Sequence, residues 1–484
     1  MRVLLDATGL GSGAGGDETM LSGVLQGLAE VAGVDDVFPV LAADGVELPD
    51  PVHGDTRFPL QRVRRLPGAL HFTTTLPRAV AACTPRPDLV FSATHGPVRS
   101  AVPVALMVQD LSVEPRPQDY PPLTRRRLQW AVRSQVHGAR VVLTVSDHAR
   151  SDLLRTYRLD PSRVFTVPNA NLPAPPVSER ALADARSDLR VRGVDGPFLL
   201  YLGNLHPRKN VGTIIEAFAR ARSDGGDLDG HRLVIAGGRW WGTGEEEVAR
   251  RLAPEGSVLF LGRVDETERE VLLRDASALC YVSLFEGFGL PPLEAMARGT
   301  AVIASDRTSV PEVVGDAAEV VDPLDVEAVA VAMRRIVTDE DRVAELRERG
   351  LRRAAHYSVR NTGRALLDAF ASAIGQPWTR PLPERRDEVA MAVGRERGSV
   401  GRVVDTDAED VAGQTERLVA TCDSLTPGEI ALVRVPRPRS VADRLRSRSA
   451  DRLWRTVEAH DCVVLDSWSE PDGADLLVLR RVVV

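Results

Sequence analysis

A single lysine, Lys209, stands beside Arg208 in a chain whose other 60 basic side chains are arginines, because lysine and arginine together number 61. An ammonium group is a compact charge with three donors, and the planar guanidinium does not replace it. The two cations follow the apolar run 198–202 and Gly203, which is typical of a strand that ends in a phosphate-binding loop. We therefore predict a phosphate site here; the alternative is that one lysine survives by chance.

Two glutamates eight positions apart, Glu286 and Glu294, form a second group that could do chemistry. They lie in the segment 283–297, which begins where the apolar run 278–282 ends, and Pro291-Pro292 predict the first turn of a helix. The free amides of such a turn bind anions such as phosphate. The two carboxylates cannot bind phosphate themselves, so their natural partners are the hydroxyls of a ribose or hexose next to it. For Glu294 the alternative is a carboxylate that complements the helix dipole.

Short apolar runs that alternate with helical stretches must position these residues. Such strands, apolar on both faces, are typical of parallel sheets covered by helices. They fall into two groups around the proline-rich segment 173–176. We predict an α/β fold of two doubly wound Rossmann-like domains, residues 1–172 and 173–376, which face a cleft at the carboxyl ends of the strands. The runs are 3–5, 89–91, 104–108, 141–145, 164–167, 198–202, 233–236, 258–261, 278–282 and 301–304.

Residues 377–484 differ in character and predict a small additional α/β lobe. A charged stretch opens it, and strand-like runs follow. The segment 418–433 resembles a late strand of class I methyltransferases, but no glycine-rich cofactor loop precedes it within the lobe. We interpret the lobe as degenerate and used for packing or partner contact. Asp405 and Asp407 mimic a D-x-D metal motif, but we interpret them as surface acids and predict no metal site.

Composition restricts the class of protein. The net charge of −7 argues against nucleic acid as a partner. No apolar stretch is long enough to span a bilayer, the N-terminus does not resemble a signal peptide, and the four cysteines are far apart. A cytoplasmic, multi-domain enzyme is the resulting expectation.

Several segments in a fixed order resemble one family. They are GNLHPRKN at 203–210, FLGRV at 260–264, SLFEGFGLPPLEAMARGTAVIASD at 283–306 and SVPEVVGDAAEVVDP at 309–323. These segments resemble the donor-binding half of the retaining family 4 glycosyltransferases of GT-B fold, and the resemblance covers roughly residues 90–370.

The resemblance implies a role for each matching residue. Arg208 and Lys209 would stabilise the donor diphosphate, Glu286 would contact the transferred sugar, and Glu294 would hold the nucleotide ribose. It also implies transfer with retention and without a metal or other cofactor, the leaving phosphate taking the acceptor proton while the cations stabilise its charge. The other implied donor-binding residues are Gly203, Gly287, Phe288, Gly289, Leu290, Pro311 and Glu312.

The N-terminal half carries the acceptor side in the same resemblance. The loop 11–16 formally matches G-x-G-x-x-G, but such matches are common in glycine-rich loops, so a nicotinamide site is the weaker alternative. Many relatives have histidine where this chain has Gln109, and glutamine cannot exchange protons at neutral pH. His95 either serves the acceptor or is a loop residue without function. The residues expected on this side of the cleft are Gly13, Gly15, Gly16, His95, Gln109 and Asp110.

The resulting hypothesis is a hexosyltransferase, with mannose favoured, that uses a nucleotide sugar and a glycan or lipid-linked acceptor. A nucleotide-sugar epimerase of the same fold and an inactive GT-B scaffold remain alternatives. The basic stretches 125–127 and 437–455 suggest peripheral contact with the inner membrane face, although solvated surfaces explain them as well.

Overall fold

The structure is a computed structural model. It describes residues 1–375, apart from 14, 65, 67–70, 94–95, 98–99, 175–176, 224–227 and 239–243, and the backbone of four strands between 400 and 481. The chain divides into two compact units, Met1–Trp378 and Thr379–Val484. Asp407 and the basic stretch 437–455 lie outside the described residues.

The first sheet of the larger unit is parallel and has seven strands in the order β3-β2-β1-β4-β5-β6-β7. Its order reverses direction between β1 and β4, which makes that pair the topological switch point where ligands bind in such sheets. The strands are β1 Val3–Asp6, β2 Val40–Ala43, β3 Leu60–Val63, β4 Leu89–Ser92, β5 Val104–Met107, β6 Val141–Thr144 and β7 Val164–Thr166.

The second sheet is also parallel, with six strands in the order β10-β9-β8-β11-β12-β13. Its switch point lies between β8 and β11. The strands are β8 Phe198–Leu202, β9 Arg232–Ala236, β10 Val258–Gly262, β11 Ala278–Tyr281, β12 Ala301–Ser305 and β13 Glu319–Val321.

Helices connect the strands, and local sequence explains several of their ends. Ser146 is the N-cap of α4, and its side chain accepts a hydrogen bond from the Ala149 amide, as serine commonly does at this position. Asp265 and Glu268 form a capping box at α8. Among the described helices, none is both long and apolar enough to cross a membrane. The helices are α1 Gly15–Val31, α2 Leu76–Ala82, α3 Pro122–Val136, α4 Asp147–Tyr157, α5 Glu179–Val191, α6 Val211–Ser223, α7 Glu245–Leu252, α8 Glu266–Asp275, α9 Leu290–Ala297, α10 Val310–Val314, α11 Val326–Thr338, α12 Glu340–His356 and α13 Val359–Gly375.

Both faces of the second sheet are buried along its four central strands. Along β8, Leu200 packs in one apolar cluster while Leu199 and Tyr201 pack in another, because successive side chains point to opposite faces. The first of these clusters also includes Leu5 and Phe91 of the first sheet. One continuous apolar cluster therefore joins the inner sides of both sheets.

Helix α13 returns from the second sheet to the first and packs against α1. The contact is close because Gly27 faces Gly363, so the two backbones touch. The Thr362 hydroxyl also donates to the carbonyl of Pro168, at 2.8 Å. The end of the unit is thereby attached to its beginning.

The smaller unit contains a four-stranded sheet in the order β14-β15-β17-β16. β14 and β15 are parallel, and β17 runs antiparallel to both of its neighbours. The strands are β14 Val400–Asp405, β15 Ile430–Val435, β16 Cys462–Ser469 and β17 Asp475–Arg481.

The prediction of two doubly wound Rossmann-like sheets is confirmed, and all ten predicted apolar runs are strands. Sequence reasoning missed β2, β3 and β13. β3 is an edge strand whose residues are alternately exposed and half-buried, so it lacks the apolar run of a buried strand. β13 is also an edge strand and has only three residues.

We expect Gly363→Ala to destabilise the larger unit by about 1–3 kcal/mol, because the added methyl group would overlap the Gly27 backbone. Gly212→Ala in α6 is the matched control, since nothing lies within 4 Å of its added Cβ; it should leave stability unchanged or raise it by up to about 1 kcal/mol. Chemical denaturation measures both, and equal effects would contradict the close helix contact.

Candidate active site

The two predicted cations and Glu286 meet at the switch point of the second sheet. Arg208 and Lys209 lie in the 3-10 turn Pro207–Lys209 after β8, and Glu286 lies in the loop after β11. Because β8 and β11 are neighbouring parallel strands, the loops at their carboxyl ends lie side by side.

Glu286 binds both cations with one carboxylate. Its Oε2 accepts from Arg208 Nη1 at 2.7 Å, and its Oε1 accepts from Lys209 Nζ at 2.6 Å. The side chains of Lys209 and Glu286 are 9% and 6% exposed. Burial of this kind is tolerated only when charges are paired and hydrogen-bonded. The three groups form a buried ion cluster, which is the centre of the candidate site.

The pKa values of the cluster keep all three groups ionised at neutral pH. Burial alone would raise the pKa of Glu286, but Arg208 and Lys209 outweigh it and hold that pKa at about 2. Burial lowers the pKa of Lys209 to about 8, although Glu286 favours the charged form. Burial also opposes the charge on Arg208, but Glu286 and Asp110 raise its pKa overall.

Sequence reasoning missed Tyr281, whose hydroxyl also binds the lysine. Lys209 Nζ donates to the Tyr281 hydroxyl at 2.7 Å and lies 5.0 Å from the centre of its ring. Tyr281 is the last residue of β11 and is fully buried. An ammonium with three donors suits this position because it serves a carboxylate and a phenol at once. In the sequence, Tyr281 is one residue of an apolar run, which predicts a buried strand and does not indicate a partner for Lys209.

The loop that carries Glu286 is held by the segment after β12. The Glu286 amide donates to the Thr308 hydroxyl at 3.0 Å. The buried Ser309 hydroxyl donates to the carbonyls of Glu286 and Phe288, both at 2.9 Å. The Phe288 ring is buried against Tyr357, with ring centres 5.4 Å apart. These contacts restrict the backbone on both sides of Glu286.

Gly287 is where the two domains of the larger unit touch across the cleft. A Cβ on this residue would overlap the carbonyl of Gln109 and lie 2.7 Å from the Asp110 side chain. The position therefore requires glycine. The same contact brings the Asp110 carboxylate to 3.7 Å from Arg208. A residue predicted for the acceptor side and a residue predicted for the donor diphosphate therefore lie next to each other.

The remaining acceptor-side predictions lie around the first switch point. Gly15 and Gly16 open α1 with free space where a side chain would be, and Gly13 lies beside the Arg263 side chain of the second domain. Gln109 donates to Asp17 of α1 at 2.6 Å, a partner that sequence reasoning did not find. Burial raises the pKa of Asp17. His95 lies outside the described residues.

Glu294 is the fifth residue of α9 and forms an ion pair with Arg269 of α8. Its side chain is only 10% exposed. Since the effect of the helix dipole falls off within the first turn, the arginine and not the dipole is its main electrostatic partner. Gly289 precedes α9 and Leu290 is its first residue. Gly203 follows β8, and its carbonyl lies against Gly237.

Pro311 and Glu312 lie in α10, and the glutamate contacts the other domain. Its carboxylate accepts from the amides of Asp147 and His148, at 2.9 and 3.1 Å, at the start of α4. The predicted donor-binding glutamate is thus occupied by a contact across the cleft.

Comparison with known proteins agrees with this architecture. The family model for Glycosyltransferase Family 4 matches residues 14–170, and the model for Glycosyl transferases group 1 matches residues 190–353. The first match covers the first sheet apart from β1, and the second match covers the whole second sheet.

Two relatives illustrate the likeness in sequence. O-antigen chain mannosyltransferase B of Escherichia coli is 30% identical over 269 residues, which are 54% of this chain and 68% of that protein. The MMP alpha-(1->4)-mannosyltransferase of Mycolicibacterium hassiacum is 29% identical over 53% of this chain and 60% of that protein. The second match thus spans less than two thirds of the relative.

Solved structures show the same fold at lower identity. Anabaena HepE in complex with UDP and glucose matches 77% of this chain and 100% of its own, with a TM-score of 0.57 and 16% identity. Together with the family models and the relative matched over 68% of its length, this fold places the chain in the family 4 glycosyltransferases of GT-B fold, among the group 1 glycosyl transferases.

Proposed function

We propose that the protein transfers a hexose from a nucleotide-diphosphate sugar to a glycan or lipid-linked acceptor, with retention of configuration. The observation that carries this proposal is the buried ion cluster of Arg208, Lys209 and Glu286 at the second switch point. Two cations fixed by one carboxylate are suited to the charge that develops on a leaving diphosphate.

In this proposal the cations act on the leaving group and Glu286 acts on the sugar. Arg208 and Lys209 would stabilise the diphosphate oxygen as the glycosidic bond breaks. That oxygen would take the proton of the acceptor hydroxyl while the acceptor oxygen bonds to the anomeric carbon on the same face of the sugar, which gives retention. Gln109 is compatible with this chemistry, because a phosphate oxygen and not a side chain receives the proton.

The ribose assignment for Glu294 rests on its place in α9, which directly follows the loop of Glu286. Arg269 forms an ion pair with this buried carboxylate, and carboxylate oxygens accept strong hydrogen bonds from hydroxyl groups. Gly203, Gly289 and Leu290 would complete the donor site at the strand ends. Mannose is favoured because both relatives described above are named mannosyltransferases.

Peripheral contact with an anionic membrane is part of the proposal, and helix α3 supports it. Leu123 and Trp130 are 82% and 61% exposed. Both lie on one face with Arg126 and Arg127, and α3 contains no acidic residue. Arg125, Arg126 and Arg127 form no ion pair with the described part of the chain. Exposed aromatic and basic side chains on one helix face suit an anionic bilayer surface.

We expect nucleotide release from one of a panel of nucleotide sugars when acceptor is present, and a loss of about two to three powers of ten in kcat in Lys209→Ala or Arg208→Ala. A coupled nucleotide-release assay with product analysis measures this. Formation of a new nucleotide sugar without acceptor would favour the epimerase. Donor binding without turnover would favour the scaffold.

We expect kcat/KM to fall as the pH rises through about 8, because kcat/KM reports the free enzyme and the Lys209 pKa is lowered to about 8. Below that pH the ammonium is present and kcat/KM should be constant. Bound diphosphate favours the charged lysine, so kcat should fall only at higher pH. Lys209→Arg is the control, since arginine stays charged and the alkaline fall should disappear. A wild-type profile that is flat to pH 9.5 would contradict the lysine's role.

We expect the full-length protein to sediment with vesicles that contain 30% phosphatidylglycerol and not with pure phosphatidylcholine vesicles. Arg126→Gln with Arg127→Gln should weaken binding about 30-fold, at about 1 kcal/mol for each arginine. Arg180→Gln with Arg352→Gln is the control, because these side chains are 92% and 63% exposed on other helices. Equal losses in both double variants would refute a specific role for α3.

A further inference from the structure

The carboxylate of Glu312 receives the first turn of α4 from the opposite domain. The amides of Asp147 and His148 are the first two of the helix and have no partner within it. Both donate to Glu312, one to each oxygen, at 2.9 and 3.1 Å. A carboxylate at a helix N-terminus is also favoured by the helix dipole. Each oxygen of the Glu312 carboxylate therefore accepts one charge-assisted hydrogen bond from the first turn of α4.

A second contact from the same end of α4 reaches the loop that carries Glu286. The hydroxyl of Ser146, which is fully buried, donates to the carbonyl of Gly287 at 2.7 Å while it caps α4. Gly287 follows Glu286 directly, and its backbone lies against Gln109. The position of α4 is thus coupled to the loop that holds the ion cluster.

Glu312 is anchored from behind by the second domain. The carbonyl of Glu312 accepts from Arg353 and from the Tyr357 hydroxyl, and the carbonyl of Val313 accepts from Arg353 Nε at 2.8 Å. These hydrogen bonds fix the backbone of the short helix α10 in the second domain. The Glu312 carboxylate can therefore couple the position of α4 to that of the second domain.

We propose that Glu312 is a positioning residue that joins the two domains through the amides of Asp147 and His148, and that it acts on transfer through this contact and not by binding the donor. The contact holds Gln109 and Asp110 against the loop of Glu286. The inference rests on the proposed function, because its effect is read in transfer.

Asp147→Pro tests the contact with little harm to the helix. Proline removes the amide donor, and it is well tolerated at the first helical position. The preceding residue, Ser146, has φ −151° and ψ 160°, which is the extended conformation that a residue before proline favours. Asp147→Ala is the matched control: it keeps the amide and removes the carboxylate that accepts from Thr166 at 2.6 Å.

We expect Asp147→Pro to lower kcat about 10- to 100-fold relative to Asp147→Ala, because the proline ring removes the amide donor and displaces the Glu312 carboxylate that it contacted. Glu312→Ala should lower kcat by about 10- to 100-fold, since both bonds are lost. In the Glu312→Ala background, Asp147→Pro should add less than about a twofold loss. Donor affinity, measured by calorimetric titration, should stay within about twofold of wild type in every variant, because the contact lies between domains.

Additive losses in the double variant, or a loss of donor affinity as large as the loss of kcat, would overturn the inference and return Glu312 to the donor site. Should Asp147→Pro melt at a much lower temperature than Asp147→Ala, Glu312→Gln replaces it. That variant keeps one acceptor and should fall between wild type and Glu312→Ala in kcat with donor affinity unchanged; weakened donor affinity would overturn the inference. Absence of transfer by the wild-type protein would instead contradict the proposed function.

Discussion

The buried pairing of Glu286 with Arg208 and Lys209 is the interaction on which the rest of the site depends. Removing three charges from water is unfavourable unless each finds a partner at hydrogen-bond distance, and here one carboxylate satisfies two cations at 2.7 and 2.6 Å. The lysine donates a second hydrogen bond to a buried tyrosine hydroxyl. Because the buried Glu286 carboxylate holds both cations in fixed positions, the cluster is preorganised, as electrostatic stabilisation of a leaving group requires.

Parallel sheet topology makes this pairing available. The two loops come from strands that are neighbours in space but are separated in sequence by residues 203–277, a stretch that contains β9 and β10. Apolar burial on both faces of the sheet fixes the strand ends, and the carboxyl ends open at the switch point. The glycine loop before α1 occupies the equivalent place in the first sheet. Two similar sheets thus contribute different chemistry, with cations in the second and open backbone in the first.

Contacts across the cleft determine how these two halves combine. Gly287 permits backbone contact with Gln109, Ser146 reaches the Gly287 carbonyl, and α13 returns to pack on α1. Each contact uses a small residue or a helix end, so the domains approach more closely than large side chains would allow. Gln109 is held by Asp17, which suggests why a neutral amide suits this position: it can donate to the carboxylate without carrying a proton that must be exchanged.

The sequence by itself determined the class of fold, ten of the strands in the two sheets, and the place of Arg208 and Lys209 in the loop after β8. These features are local, because apolar runs, loop glycines and adjacent cations lie within a few residues of one another. The edge strand β3 was not predicted, because its residues are alternately exposed and half-buried and do not form an apolar run. The partners of the functional groups were also hidden. Tyr281 beneath Lys209, Arg269 beside Glu294, and the amides of α4 on Glu312 are far from their partners in sequence, and only folding of the chain brings these charges and donors within hydrogen-bond distance.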